Sequence, residues 1–414
     1  MKIAIIGTGI SGLGAAYLLQ NHHDITLFEK NTYIGGHSRT KKINVHGQDV
    51  AVDTGFIVFN NWNYPNLLGL FKELKVPYVK SNMSFGVSVD KGWLEYSSND
   101  LFALRNLVRP AYWRMLRDIT KFNKQALAYI EKDPAITLGQ CLQELKMGAW
   151  FKDYYLLAMG AAIWSCPLET IMAFPARTFL RFFKNHGLLS INNRPQWYTV
   201  EGGSQEYVKR LTESFRDKIN MNCAATKVAQ HNGSWEVTDS NGRVDIYDQV
   251  IFACHADEAI KICDDLSAEQ QDVIGAFSYQ ENTVILHSDQ SFMPKNKKTW
   301  ASWIYLSEKK QDKNPAVALS YWMNNLQPLN TDTPVIITLN PERRPTQEMI
   351  YDEHIFSHPV FDLKAIQAQE RIQALQGDKG LWFCGAYQRY GFHEDGLLSA
   401  VNIAKKMGVS IPWE

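Results

Sequence analysis

The sequence has no surplus of either charge: Lys and Arg number 43 and Asp and Glu number 43 among 414 residues. No whole-chain field therefore favours nucleic acid as a partner. The six cysteines (Cys141, Cys166, Cys223, Cys254, Cys263, Cys384) contain no CxxC pair, which argues against a zinc or disulfide framework and for buried, reduced thiols in a cytoplasmic protein. No metal site is expected. The chain starts directly on a strand in "MKIAIIGTGISGLGAAYLL", without a charged leader and cleavage site. No uninterrupted apolar run reaches membrane-spanning length. The simplest location is the cytoplasm, with peripheral contact at the inner membrane surface left open.

At 414 residues two interleaved domains are the natural expectation. Gly7, Gly9 and Gly12 form G-x-G-x-x-G directly after an apolar strand and before a helical stretch, with Ser11 inside the loop. The glycines allow a tight turn, close approach to a diphosphate and tight helix packing, while the helix start offers free N–H groups. A second strand, "DITLFEK", ends at Glu29, where an acid accepts hydrogen bonds from an adenosine ribose, and Lys30 follows it. NAD and FAD share this fingerprint.

The next stretch, "KNTYIGGHSRTKKINVHGQDVAVDTG", holds Gly35-Gly36, His37, Arg39 and Gly55. It resembles the second FAD signature of the flavin amine oxidase superfamily, which includes protoporphyrinogen oxidases and phytoene desaturases. The superfamily doublet is usually followed directly by Arg; here His37 follows, and Arg39 is the candidate for the diphosphate. The resemblance continues in "VEGGSQEYVKRL", with Gly202-Gly203 near the flavin, and in "CAATKV", whose Val228 backbone would meet the adenine. It ends in "LWFCGAYQRYGFHEDGLLSAVNIA". There Gly385 would lie near the ribityl or diphosphate, and the backbone at Asp395, Gly396 and Leu397 would face the isoalloxazine carbonyl. Asp395 reads as a first-turn cap. The resemblance implies an α/β fold, a Rossmann-like FAD-binding domain of GR2 type (1–59, 198–275, 376–414) interleaved with a mixed α+β substrate domain (60–197, 276–375). FAD is the implied cofactor, gripped by both ends of the chain.

In the first insertion, "LRNLVRPAYWRMLRDITKFNKQALAYI" spaces Leu107, Trp113, Leu116, Ile119, Phe122 and Leu127 as the core side of a helix with basic residues between. The same pattern suits a basic amphipathic surface against anionic lipid. The second insertion, with "TWASWIYL", "AVALSYWM" and "PVIITL", reads as an antiparallel sheet. Twelve Trp, 18 Tyr and 20 Phe favour an apolar substrate tunnel.

The "IWS", "NHGLL" and "RPQW" segments resemble a bacterial group of flavin oxidoreductases labelled amine oxidases. Two departures speak against amine chemistry. Thr283 is read at the position of the lysine that holds a water near flavin N5 in many amine oxidases, and His393 at that of an aromatic-cage tyrosine. His393 is the leading catalytic candidate, as acid/base or substrate orienter, followed by His287 and by His186. The expected activity is hydride removal from an apolar, fatty-acyl or lipid-like substrate by desaturase-like C–C oxidation, with an unidentified electron acceptor. The alternatives are a flavin-dependent amine oxidase acting on C–N bonds, a non-redox lipid-binding module of the same fold, and an NAD-only dehydrogenase.

Overall fold

A computed structural model of the chain describes residues 1–132, 135–164, 168–190, 194–308 and 316–414. Ser165 and Cys166 of the "IWSC" stretch lie outside the described residues. The opening strand Lys2–Ile6 is central in a five-stranded sheet ordered Ile219–Asn220, Asp24–Phe28, Lys2–Ile6, Gln249–Phe252, Leu381–Phe383, and every neighbouring pair is parallel. Unbroken apolar runs such as "IAII" suit such strands because both faces are covered. Ile3, Ile5 and Ile251 enter one core, and Ala4, Ile6 and Phe252 enter the other.

The first and last strands thus belong to one sheet. The helices that follow them, Ile10–Leu19 and His393–Lys406, pack together. Small residues make that approach possible. A Cβ on Gly14 would sit 2.7 Å from Leu397 Cδ1, and one on Gly396 would sit 2.8 Å from Ser11 Oγ.

A seven-stranded sheet forms the second body, ordered Ile350–Val360, Ser278–His287, Ile336–Leu339, Ala316–Trp322, Trp303–Glu308, Phe85–Val89, Leu94–Ser97. Its pairings are antiparallel except that Phe85 to Val89 run parallel to Trp303 to Ser307. The first insertion, expected to be largely helical, therefore also supplies the last two strands of this sheet.

Its basic helix spans Pro110–Gln125, with Pro110 in the first turn, where a missing N–H costs nothing. Tyr112, Met115 and Phe122 face inward. Trp113 and Leu127, expected on that inner side, are 47% and 37% exposed. For Trp113 the reason is helical phase, since Trp113, Arg117, Thr120 and Lys124 share the outer face; Leu127 lies past the helix end, in the 3-10 turn Ala126–Glu131. Among the described residues no helix is long and apolar enough to cross a membrane. The five described cysteines are unpaired.

Candidate active site

The glycine loop closes on itself by contacts that exclude side chains. A Cβ on Gly12 would lie 2.0 Å from the Gly7 carbonyl oxygen, and Gly7 adopts φ +105° against Ala253. Gly9 differs: a Cβ there would meet nothing within 4 Å. The second glycine pair arches over this opening. The Gly35 amide donates to the Thr8 carbonyl at 3.0 Å, and a Cβ on Gly36 would lie 3.1 Å from Gly9 Cα. Gln205 props that arch, its side-chain amide donating to the carbonyls of Ile34 and Ser38. Gly55 lies so near the His37 carbonyl oxygen that a Cβ would stand 2.2 Å from it.

Glu29 is held at the loop's edge by the Thr8 hydroxyl and amide on one oxygen and by the Asn31 backbone and side-chain amides, each at 2.8 Å, on the other. Three expected cofactor contacts are redirected. Lys30 pairs with Glu258. Arg39 forms a two-pronged pair with Asp352, at 2.6 and 3.3 Å, and Lys41 reaches the same carboxylate at 2.9 Å. Burial opposes ionisation of Asp352, but hydrogen bonds from Arg39 and Lys41 outweigh it and hold its pKa below the ordinary range. The Arg39 guanidinium is thus committed to a protein anion rather than to a diphosphate. Val228 is fully buried, paired with Val237 on one side and bridged to Cys263 on the other. The residues beside Glu29 are instead Asn222 and Cys223, whose amides donate to the carbonyls of Asn31 and Glu29.

Gly203, at φ +93°, leaves room for Thr40 and Asp53, while Gly202 lies on an exposed turn. This places Asp53 at the start of the helix Gln205–Thr212. Its carboxylate accepts from the Ser204 amide and hydroxyl, Thr40 Oγ1 and Gln327 Nε2.

The closing segment reaches the opening loop. The Cys384 thiol points to the Ser11 carbonyl and to Ser399 Oγ, which accepts from the Gly385 amide at 2.9 Å. Burial raises the Cys384 pKa to about 12, so the thiol is unsuited to a covalent flavin link. The amides of Asp395 and Gly396 both donate to the Phe392 carbonyl, at 3.0 and 3.1 Å. They are therefore not free for an isoalloxazine carbonyl, and Leu397 is a fully buried packing residue against Gly14. The amides ahead of the first intrahelical bond are those of His393 and Glu394. Asp395 is a cap, accepting from the Tyr390 and Phe392 amides. Glu394 caps a different helix, Pro65–Glu73, through the amides of Asn66 and Leu67.

His393 stacks on Phe56 at 3.8 Å, and its Nε2 lies 2.7 Å from Tyr207 Oη and 2.9 Å from Ser38 Oγ. Burial draws its pKa down to about 3, so the ring is neutral at physiological pH. His37 stacks on Phe356 at 4.6 Å, beside His358, and its Nε2 has no partner among the described residues. Burial and then the neighbouring imidazoles keep His37 neutral as well. His287 is removed from this group. Its Nδ1 accepts from the Asp289 amide and its Nε2 meets Thr338 Oγ1, so it serves the sheet and has no nitrogen left for chemistry.

His186 stacks on Phe182 and, with Phe392 and Tyr390, forms an aromatic cluster ahead of the closing helix. Phe392, one residue before His393, thus presents its ring to Phe182 and His186. Thr283 pairs with the exposed Ile355, whereas the buried Asn282 reaches His358 at 3.1 Å. The inward position on that strand is therefore Asn282, not Thr283. Tyr207, Ser38, Gln205 and Asn282 carry no motif signal in the sequence.

These residues fit a dinucleotide. Gly9 opens on free space bounded by the Gly36 arch and by first-turn amides of the opening helix. Residues 10–338 match the family described as flavin containing amine oxidoreductase. The flavin-containing amine oxidase A of Canis lupus familiaris is 23% identical over 272 residues, 61% of this chain and 48% of that protein; the chain thus spans about half of that relative's length. Among solved structures, a CLA-producing fatty acid isomerase from P. acnes superposes with TM-score 0.69 at 15% identity, covering 98% of both chains. Cyclohexylamine oxidase from Brevibacterium oxydans IH-35A gives 0.70 at 14%, covering 98% of this chain and 99% of the other. At such identities the likeness concerns the fold.

Proposed function

The chain belongs to the flavin containing amine oxidoreductase family; from that premise we propose that it is an FAD-dependent oxidoreductase whose substrate is apolar, a fatty-acyl or other lipid-like chain oxidised at a C–C bond. When bound, FAD supplies the hydride acceptor. First-turn amides of the opening helix and Gly36 would hold its diphosphate, Glu29 its ribose, and the His393 and Glu394 amides its pyrimidine edge.

The observation that carries the substrate reading is the neutrality of the surrounding groups. His393 is stacked on Phe56 and uncharged, and the inward strand position is Asn282, its side chain bonded to His358, Gln280 and Asn340. The closing motif's carboxylates are spent on helix ends. An ammonium group finds no free carboxylate among these residues. Tyr207 and Ser38 hold the His393 ring in place, and His393 orients the substrate rather than removing a proton, since a pKa of about 3 makes it a weak base.

Amine oxidation keeps one observation in its favour: Phe182 and Phe392 stack at 5.4 Å and 18°, a face suited to a cation. Anaerobic titration of the FAD-loaded protein separates the two. Bleaching of the oxidised-flavin absorbance by fatty-acyl lipids and not by primary amines or polyamines is expected; the opposite pattern assigns the enzyme to C–N bonds.

A further inference from the structure

Between the edge strand Leu94–Ser97 and the basic helix Pro110–Gln125, the chain turns its apolar side chains outward. Leu104 is 83% exposed, Val108 81%, Phe102 61%. The backbone beneath them is pinned by buried polar groups. Asn106 donates its side-chain N–H to the Glu95 carbonyl at 2.7 Å, and the Tyr112 hydroxyl donates to the Leu101 carbonyl at 2.7 Å. The exposed Trp113 has spent its indole N–H on the Leu107 carbonyl at 2.8 Å, and its ring lies 6.4 Å from that of Phe102. Polar groups inside and apolar groups outside reverse the order of a surface made for water.

Basic side chains predominate around this patch. Arg105, Arg114, Arg117 and Lys124 are exposed, and none has an ion-pair partner among the described residues. Arg109 lies over the Trp93 ring at 4.8 Å. Asp118, on the same helix, is turned inward and accepts from the Gly148 amide at 3.0 Å. Asp100, half-buried, is the nearest acid on the preceding stretch.

We infer that this face docks on an anionic phospholipid bilayer. Phe102, Leu104 and Val108 enter the acyl boundary, Trp113 lies at headgroup depth, and Arg105, Arg114 and Arg117 meet lipid phosphates. A second copy of the chain is the poorer occupant, because a two-fold contact sets one cationic rim against another. The attachment is one-sided and independent of which substrate the flavin site takes.

Flotation of the FAD-loaded full chain with vesicles of phosphatidylcholine, alone or mixed with phosphatidylglycerol, tests it. Binding to the mixed vesicles is expected to weaken about fivefold or more when the anionic lipid is omitted or salt is raised. Leu104→Ser with Val108→Ser, and separately Arg105→Glu with Arg114→Glu and Arg117→Glu, should each lower it about tenfold or more. All five side chains face solvent, so flavin content and thermal midpoint should match the wild type. Wild-type protein that stays off every vesicle overturns the inference, as does binding indifferent to both variants. A dimer in light scattering that becomes a monomer on Leu104→Ser with Val108→Ser overturns it too, and assigns the face to a second copy.

Discussion

Asp53 is fully buried, and burial pushes its carboxyl up to about 6 even though Thr40, Ser204 and Gln327 donate to it. The ionised form survives at neutral pH because those donors surround it, and it joins Thr40, the Ser204 helix start and Gln327 into one unit. Asp53→Asn turns an acceptor into a donor facing the Ser204 amide, and should cost about 2–3 kcal/mol, read as a lowered denaturant midpoint with flavin still bound. An unchanged midpoint refutes the assignment. At this scale the tight turn at Gly7 and Gly12 is legible in the sequence, since its reason is local. Arg39 is not: its partner Asp352 lies 313 positions away, and no spacing rule foretells that pairing. In a strand one position exchanges the inner face for the outer one, so the reading at Thr283 leaves its buried neighbour Asn282 unnoticed.

Two helix starts, Ile10–Leu19 and His393–Lys406, converge where Gly396 meets Ser11. The glycines around them separate folding from cofactor binding. Gly12→Ala drives a methyl into the Gly7 carbonyl and should leave little folded protein. Gly9→Ala adds a methyl where the protein has nothing within 4 Å. It should therefore leave the melting temperature of the flavin-free protein unchanged while lowering flavin retention. If Gly9→Ala instead melts the flavin-free fold as Gly12→Ala does, the opening above Gly9 is not a ligand cradle. Strand–glycine–helix order could be read from both ends of the sequence because each element is short and strongly patterned. The strands Phe85–Val89 and Leu94–Ser97 could not, since their place depends on a sheet that Trp303–Glu308, far later in the chain, completes. The outer face of Pro110–Gln125 is hidden in the sequence because "YW" places two aromatics side by side, and only the packed helix shows that Tyr112, not Trp113, points inward.

Across the whole molecule, buried histidines dominate the acid response. Burial draws His186, His287 and His358 to about 4 and His393 to about 3, and holds His37 well below the ordinary 6.5. Between pH 6.5 and 4 the unfolded chain binds protons that the folded chain refuses, so stability falls as pH falls through that window. Asp53 and Asp395, raised to about 6, and Glu394, raised to about 7, act in the opposite sense, because the folded state keeps protons that the unfolded state has released. Five imidazoles outweigh three carboxyls. The thermal midpoint should therefore drop steadily from pH 6.5 to 4.5, and a flat profile would show that these rings are not held neutral.

The α/β class and the use of FAD were readable at this scale because the two signatures bracket the chain. The relation of the two ends was a consequence of the parallel sheet, in which the first strand is central and the last lies two places away at the edge. Hydrogen–deuterium exchange of the FAD-loaded protein against its flavin-stripped form tests that relation most directly. Protection by flavin of amides in both residues 7–14 and residues 385–397 is the expected result. Protection confined to the first stretch, with the second exchanging identically in both forms, would contradict a cofactor held between the two ends of the chain.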